Sequence, residues 1–460
     1  MLVPRVEKLI GIEVYATRSN GIGGVLKLFP EDFVVEEVLI DGSRAKVASP
    51  KTGETKTFNL SNIETRHLLC VLVKRNWDNF LAVKAIARQL DISPTRIQIA
   101  GIKDAKALTA QFITIEDVHA ENLSKVKVSG IEIRNVGYFK GKISPYFLLG
   151  NDFNIIVRMV RHSQSAVKTR IEKTIEEIEA LGGVPNFFGH QRFGTVRPIT
   201  HLVGKALIQG KFRKAAMLFL AKTSKYEHPE SRQAREALLA TQDFRKALKI
   251  FPRSLRFERL MLEHLAKKPE DYVGAFRRLP NKLLRLFIQA YQAYLFNKFL
   301  SARISRGLPL NVADVGDYVV NVERNGLPVL IMHKSVDANT LADVNTSLKS
   351  GRLRLALPLV GFKQKTSRGV QGELEKEILE EEGVFQENFK VKSIPEISSK
   401  GELRTMITPS RNFALDEILK DSTNPSKNAV KMHFMLLRGS YATVLLREIM
   451  KVRNPVKAGF

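Results

Sequence analysis

The hydrophobic pattern changes period partway along the chain. Through roughly the first 160 residues, apolar side chains alternate in short β-rich runs; from about residue 200 to 305 they recur at helical spacing among many Arg and Lys. No single-class fold accommodates both, so the expected class is α+β, a mixed α/β arrangement. GGVLKLF (23–29) and DFVVEEVLI (32–40) read as two strands meeting at Pro30. TRHLLCVLVKR (65–75) is a further strand, with Cys70 as core filler. WDNFLAVKAIARQL then turns helical, capped by Asp78 or Asn79, with Phe80, Val83, Ile86, Ala87 and Leu90 on one face. RIQIAGIKD reads as strand and turn. In GNDFNIIVRMV, alternation sends Phe153, Ile155, Val157 and Met159 to one side. SQSAVKTRIEKTIEEIEALGG is a helix with a Val167, Ile171, Ile175 and Ile178 stripe, closed by Gly182. Strand character returns in GDYVVNVERNGLPVLIMHK around an Asn325-Gly326 turn. Residues 351–369 hold five basic residues and no acidic one, and GELEKEILEEEG (372–383), read as a solvated helix, follows. KMHFMLLRGSYATVLLREIMK reads as strand, turn and helix.

At 460 residues the chain has room for two or three cores. Its 73 basic and 47 acidic residues give a net charge of +26, a field that attracts polyanions, above all nucleic acid. A membrane surface ranks lower, because no basic amphipathic anchor with a strong apolar face stands out. Cys70 is the sole cysteine, so an internal disulfide and paired-cysteine zinc sites are excluded; helical His-Glu-His zinc spacing is also missing. MLVPRVEKLIGIEV is too charged for a secretory segment, and no uncharged apolar run reaches spanning length. GIGG (21–24) lacks dinucleotide-fingerprint spacing, and neither a phosphate loop nor a G-x-S-x-G elbow occurs. The expectation is a cytoplasmic protein that uses no metal and no cofactor.

Two stretches carry candidate chemistry. AGIKDAKALTAQ (100–111) sets Lys103 beside Asp104 on a turn, which is either solvated decoration or a positioned carboxylate. VPNFFGHQRFG (184–194) packs three phenylalanines around Gln191 and Arg192. That mixture suits stacking and edge recognition of an unpaired base; equally, it suits an interdomain hinge with core aromatics.

Taken in order, GGVLKLFPEDFVVEEV, AGIKDAKALTAQ, GNDF, VPNFFGHQRFG and GSYATVLLREIM resemble the TruD family of pseudouridine synthases, its larger archaeal and eukaryotic members in particular. The resemblance implies a catalytic core at 1–183, a mostly helical, basic insertion at 184–400, and residues 401–460 completing the core. It places the catalytic carboxylate on Asp104 and its basic partner on Lys27, within the opening strand. Asn151 and Phe153 are implied beside the target base, with Glu37 in a supporting role; Phe153 is either a stacking platform or part of the core beneath the alternating strand. Lys103 is implied either to touch phosphate or to fix the turn. Phe187 stands at the variable position of V-P-N-x-F-G, and His190 receives no role. Arg447 and Glu448 either brace the site or form an ordinary surface pair. The implied substrate is tRNA, at uridine 13 of the D arm.

The chemistry suits such an assignment. Isomerising uridine breaks N1–C1′ and forms C5–C1′ with no redox agent, metal or energy source. An ionised carboxylate is needed either as nucleophile or as base. Burial under a base disfavours that charge, and a neighbouring ammonium opposes the effect. Two rivals stand beside this reading. One is a catalytically silent RNA-binding or ribosome-assembly protein of the same fold. The other, RNA hydrolysis, lacks a second positioned acid.

Overall fold

The computed structural model describes residues 2–48, 60–61 and 65–460. In chain order its strands are β1 (Phe33–Leu39), β2 (Leu60–Ser61), β3 (His67–Arg75), β4 (Ile97–Ile99), β5 (Leu108–Glu116), β6 (Ile131–Phe139), β7 (Leu148–Val160) and β8 (Val184–Pro185). After a long helical stretch come β9 (Tyr318–Val322), β10 (Pro328–Ser335), β11 (Leu353–Leu359), β12 (Glu402–Thr405), β13 (Ile407–Thr408), β14 (Ser410–Asp421) and β15 (Asn424–Leu437).

A nine-stranded sheet runs β14-β15-β7-β1-β5-β3-β6-β2, with β4 added on β5. β1 and β5 are parallel, and β1 also pairs antiparallel with β7. The chain therefore leaves this sheet after Val160 and rejoins it at Ser410. β3 is buried on both faces, which is why its sequence reads as a continuous apolar run rather than an alternation. One face of β3 and β5 packs on the helix Asn79–Gln89, around Leu68, Cys70, Ile86 and Ile113. The part of the sheet formed by β1, β7 and β15 packs on the helices Gln164–Ala180 and Ala442–Met450. Between Thr200 and Ser305 seven helices follow one another, ending in the 25-residue Asn281–Ser305. A second sheet, β10-β9-β11-β12, lies beyond them, with its hairpin turning at Asn325-Gly326, Gly326 having φ +90°.

Several expectations need correction. GGVLKLF is not a strand: only Val25 bridges, to Arg158, because Gly23, Gly24 and Lys27 all have positive φ. Asp78 caps its helix as expected, but Phe80 is 59% exposed and the buried face runs through Asn79, Ala82, Ile86 and Ala87. In β7 the inward set is Phe153, Ile155, Val157 and Val160; Met159, at φ +61°, marks the irregularity that shifts alternation by one residue. The acidic helix Gly369–Glu382 is not wholly solvated. It buries Leu374, Glu375 and Ile378, and the Ser367 amide and hydroxyl donate to Glu375. Burial pushes the Glu375 carboxyl up to about 7.

Candidate active site

The turn between β4 and β5 is held from beneath. Asn79 and Gln111 side-chain amides donate to the Gly101 carbonyl, and Asn79 Oδ1 accepts from the Lys103 backbone N–H at 3.3 Å. Lys103 points inward onto Glu37, and both side chains are buried. The second Glu37 oxygen accepts from the Phe112 N–H at 2.8 Å, so the carboxylate's charge is matched on both sides. Gly101 is favoured by tight space rather than by φ. A Cβ there would lie 3.0 Å from Lys103 Nζ, 3.2 Å from Leu148 and 3.5 Å from Glu37. Lys103 thus fixes the turn and is in no position to reach phosphate; Glu37 anchors it.

With its neighbour tied down, Asp104 faces the other way. Its side chain is 30% exposed, and Oδ1 accepts from Lys27 Nζ at 2.7 Å. The ammonium also lies 4.2 Å from the centroid of the Phe33 ring. Lys27 reaches this position from a left-handed backbone, φ +56°, a conformation that costs a non-glycine residue energy and is retained where the surroundings impose it. A second lysine, which the pattern of β3 conceals, stands on the opposite side. Lys74 is fully buried and its Nζ donates to the Asp104 carbonyl oxygen at 2.8 Å and the Trp77 carbonyl at 2.7 Å. Burial pushes its ammonium down to about 8, against the pull of Asp104 and Asp78. The one signal that could have found it is a lysine interrupting an otherwise continuous apolar run.

The register of β1 on β7 pairs Glu37 with Asn151 and Val35 with Phe153, so all four face the same side of the sheet. Asn151 Oδ1 is buried with no hydrogen-bond partner among the described residues, an acceptor left open beside the turn. Phe153 is 6% exposed, stacked on Phe434 at 5.4 Å and edge-on to Phe33 at 6.1 Å. Its ring is core, and it does not offer a free stacking face. What lies open around the turn is different: Leu28 and Phe29 after Lys27, Phe80 and Leu81 after Asn79, and Ile102, 67% exposed, within the turn itself.

VPNFFGHQRFG divides the same way. Phe187 and Phe193 are fully buried. Phe188 is covered by the Arg404 guanidinium at 4.0 Å, with Arg192 5.4 Å from its centroid. Gln191 is exposed and accepts from the Thr443 hydroxyl at 3.4 Å. Arg192 and Phe188 line a cavity of about 710 Å³ between the end of the nine-stranded sheet and the smaller sheet. Leu148, the residue against Gly101, is also in its wall, so the cavity adjoins the turn that carries Asp104. Arg447 and Glu448 are no surface pair. Arg447 is buried, donates to Glu7 at 2.8 Å and Glu448 at 2.6 Å, and lies over Tyr15; Glu448 accepts from Thr17. These bonds clamp the N-terminal segment to the C-terminal helix behind the core. His190 is buried against the same Glu7.

Among the described residues no helix is long and apolar enough to cross a membrane. The family model for tRNA pseudouridine synthase D (TruD) matches residues 9–449. A Methanosarcina mazei protein named "Probable tRNA pseudouridine synthase D" is 41% identical over 458 residues, covering 99% of this chain and 100% of that one. Its namesake from Pyrococcus furiosus is 39% identical over 438 residues, 95% of this chain and 98% of the other. A crystal structure described as "the Putative tRNA pseudouridine synthase D (TruD) from Methanosarcina mazei" superposes with a TM-score of 0.83 at 40% identity, over 99% of this chain and all of that one. A paired carboxylate and lysine at a sheet's centre would fit many enzymes, but a match extending over nearly every residue leaves one attribution: the chain belongs to the tRNA pseudouridine synthase D family.

Proposed function

We propose that the protein isomerises uridine to pseudouridine in tRNA, with uridine 13 of the D arm as its target, and that Asp104 carries the chemistry. The observation that bears most weight is the Lys27–Asp104 pair: a carboxylate partly open to solvent, met by one ammonium at 2.7 Å, on a turn immobilised by the buried Lys103–Glu37 pair. Preorganisation of this kind holds a reactive group ready without reorganisation during the reaction.

The target base must leave its stack, at a few kcal/mol. Leu28, Phe29, Phe80, Leu81 and Ile102, exposed and next in sequence to Lys27, Asn79 and Lys103, would form an apolar rim that takes up the bases left behind and offsets part of that cost. Once the nucleotide enters, water leaves and Lys27 keeps the carboxylate's charge compensated in the drier site. Asp104 then acts on the sugar or the base as nucleophile, or takes a proton from the sugar. In either route N1–C1′ breaks, the held uracil turns, and C5–C1′ forms. Asn151 supplies a hydrogen-bond acceptor suited to the uracil N3–H while the base turns. RNA would lie between the core (1–183 and 401–460) and the insertion (184–400), its phosphates held by surface Arg and Lys. A silent RNA-binding protein of this fold would have no use for the strained Lys27.

The test is to incubate wild type and Asp104→Asn with unmodified tRNA and map pseudouridine by mass spectrometry. Product at uridine 13 from the wild type alone, with RNA binding retained by the variant, is the expected result. Equal product from both would remove Asp104 from the chemistry.

A further inference from the structure

The cavity beside the catalytic turn contains charged groups that the isomerisation does not use. Arg404 forms its floor. Its Nε donates to the Asn186 carbonyl at 3.0 Å, while Nη2 donates to Asn186 Oδ1 at 2.6 Å and to the Gly439 carbonyl at 2.9 Å. Phe188 covers one face of the guanidinium at 4.0 Å. A cation fixed in its own plane by three hydrogen bonds, and backed by an aromatic ring, is a rigid surface on which a base can stack. Burial pushes this group down to about 10, while Tyr441 and Glu402 support its charge.

Two further side chains line the same cavity without engaging partners. The Arg192 guanidinium makes no hydrogen bond or ion pair among the described residues, and its Nε is buried with no acceptor. Glu402, on β12, likewise accepts no hydrogen bond and forms no ion pair, not even with the nearby Arg192 and Arg404 that oppose the rise of its carboxyl. Arg192 Nε, buried without an acceptor, is costly to maintain, and a ligand offering an acceptor edge removes that cost, while the exposed Glu402 carboxylate stands open to donors. The set is one donor-only cation and one acceptor-only anion beside a stacking plane. Guanine presents what that set lacks: N1–H and N2–H donors for a carboxylate, and O6 and N7 acceptors for a guanidinium. A pyrimidine offers fewer such edges, and adenine lacks the paired donors. At about 710 Å³ the cavity has room for a nucleotide with its phosphate, for which Arg438 and Lys400 stand at the wall.

We propose that this cavity is a second nucleotide pocket, which takes one unpaired guanosine of the substrate RNA, stacks it on Arg404, and reads it with Glu402 and Arg192. This rests on the pseudouridine synthase reading above and adds a sequence requirement at a position other than the isomerised uridine. Asp104 and Lys27 are not among the cavity's lining residues, so the guanosine it would take is a nucleotide other than the isomerised uridine.

The experiment uses the full chain and a pool of RNA stem-loops randomised around one uridine, with product sites read by sequencing. Wild type is expected to enrich guanosine at one fixed position. Glu402→Gln, which exchanges one acceptor for a donor on an unpaired side chain, and Arg192→Ala should each flatten that enrichment about tenfold. Inosine at that position, lacking the 2-amino group, should slow the wild type and leave Glu402→Gln unaffected. Product with no guanosine preference, or a preference indifferent to both variants, overturns the pocket while leaving the synthase reading in place. No product from any RNA, tRNA included, overturns the synthase reading and the pocket with it.

Discussion

Lys74 Nζ donates to the main-chain carbonyl of Asp104 at 2.8 Å, from a side chain with no solvent exposure. The ammonium therefore acts on the turn from below while Lys27 meets the carboxylate from above. Its ordinary value of 10.5 falls to about 8 because burial disfavours the charge. The unfolded chain then binds more protons than the folded one between about pH 8 and 10.5, so stability should rise with pH across that window. Below pH 8 the cost is present in full, about 3 kcal/mol. Urea denaturation of the wild type should show this rise; Lys74→Met should lack it. The same variant should lower kcat more than it raises KM, and should lose the alkaline limb near pH 8 that the wild-type rate is expected to show. An unchanged pH–rate profile would restrict Lys74 to a structural role.

Lys27 can be separated into its charge and its backbone. Lys27→Ala removes a charge-assisted hydrogen bond of about 1.5–3 kcal/mol, which corresponds to about 10–150-fold in kcat. Lys27→Gly should lose the same turnover yet unfold at higher urea, by about 1 kcal/mol, because glycine adopts φ +56° without a Cβ clash. If the alanine and glycine variants prove equally stable, the left-handed conformation carries no strain.

The mixed fold, the long helical stretch and the strand–turn–helix ending were legible because each depends on local periodicity. Asp104 and Lys27 were legible through motif resemblance, and the structure brings them together. The errors have physical causes. The opening run 23–29 has strand composition, but three positive φ angles break it, and alternation cannot report φ. Alternation leaves Phe153 open between target base and core; register sets Phe434 beside it on β15, a pairing between segments about 280 residues apart that no local pattern encodes. Lys74 is hidden, and Asn79 reads only as a candidate helix cap, because each sits in an element whose pattern is explained by its apolar residues. Adjacency alone leaves Arg447 and Glu448 open between a brace and a surface pair, and only the contacts with Glu7 and Thr17, far away in sequence, decide between them.

Ile102 tests the apolar rim. At 67% exposure it adds little to folding, so Ile102→Ser should leave the urea midpoint nearly unchanged. If the rim supports the vacated stack, the loss of a few kcal/mol of contact should appear in turnover on folded tRNA and diminish on a short single strand whose uridine is already unstacked. The measurement is the ratio of kcat/KM on the two RNAs for wild type and variant. A loss of equal size on both would assign Ile102 to uridine contact instead of eversion.

The brace behind the core should prove costly to break and hard to imitate. Arg447 bonds Glu7, Glu448 and the Val14 carbonyl while lying 4.0 Å from the centroid of the Tyr15 ring, and neither carboxylate has solvent to turn to. Arg447→Ala leaves two buried anions facing each other, which costs about 3–5 kcal/mol. Lysine has the charge but not the planar fork, so Arg447→Lys should recover only part of this. Arg447→Met combined with Glu7→Gln removes one charge of each sign and should destabilise less than Arg447→Ala alone, as measured by urea midpoint at constant pH. Because the bonds of this cluster include neither Asp104 nor Lys27, kcat of the folded fraction should stay close to wild type in all three. A fall in kcat that tracks the urea midpoint would instead show that the N-terminal segment, from Glu7 through Lys27, transmits the brace to the catalytic lysine.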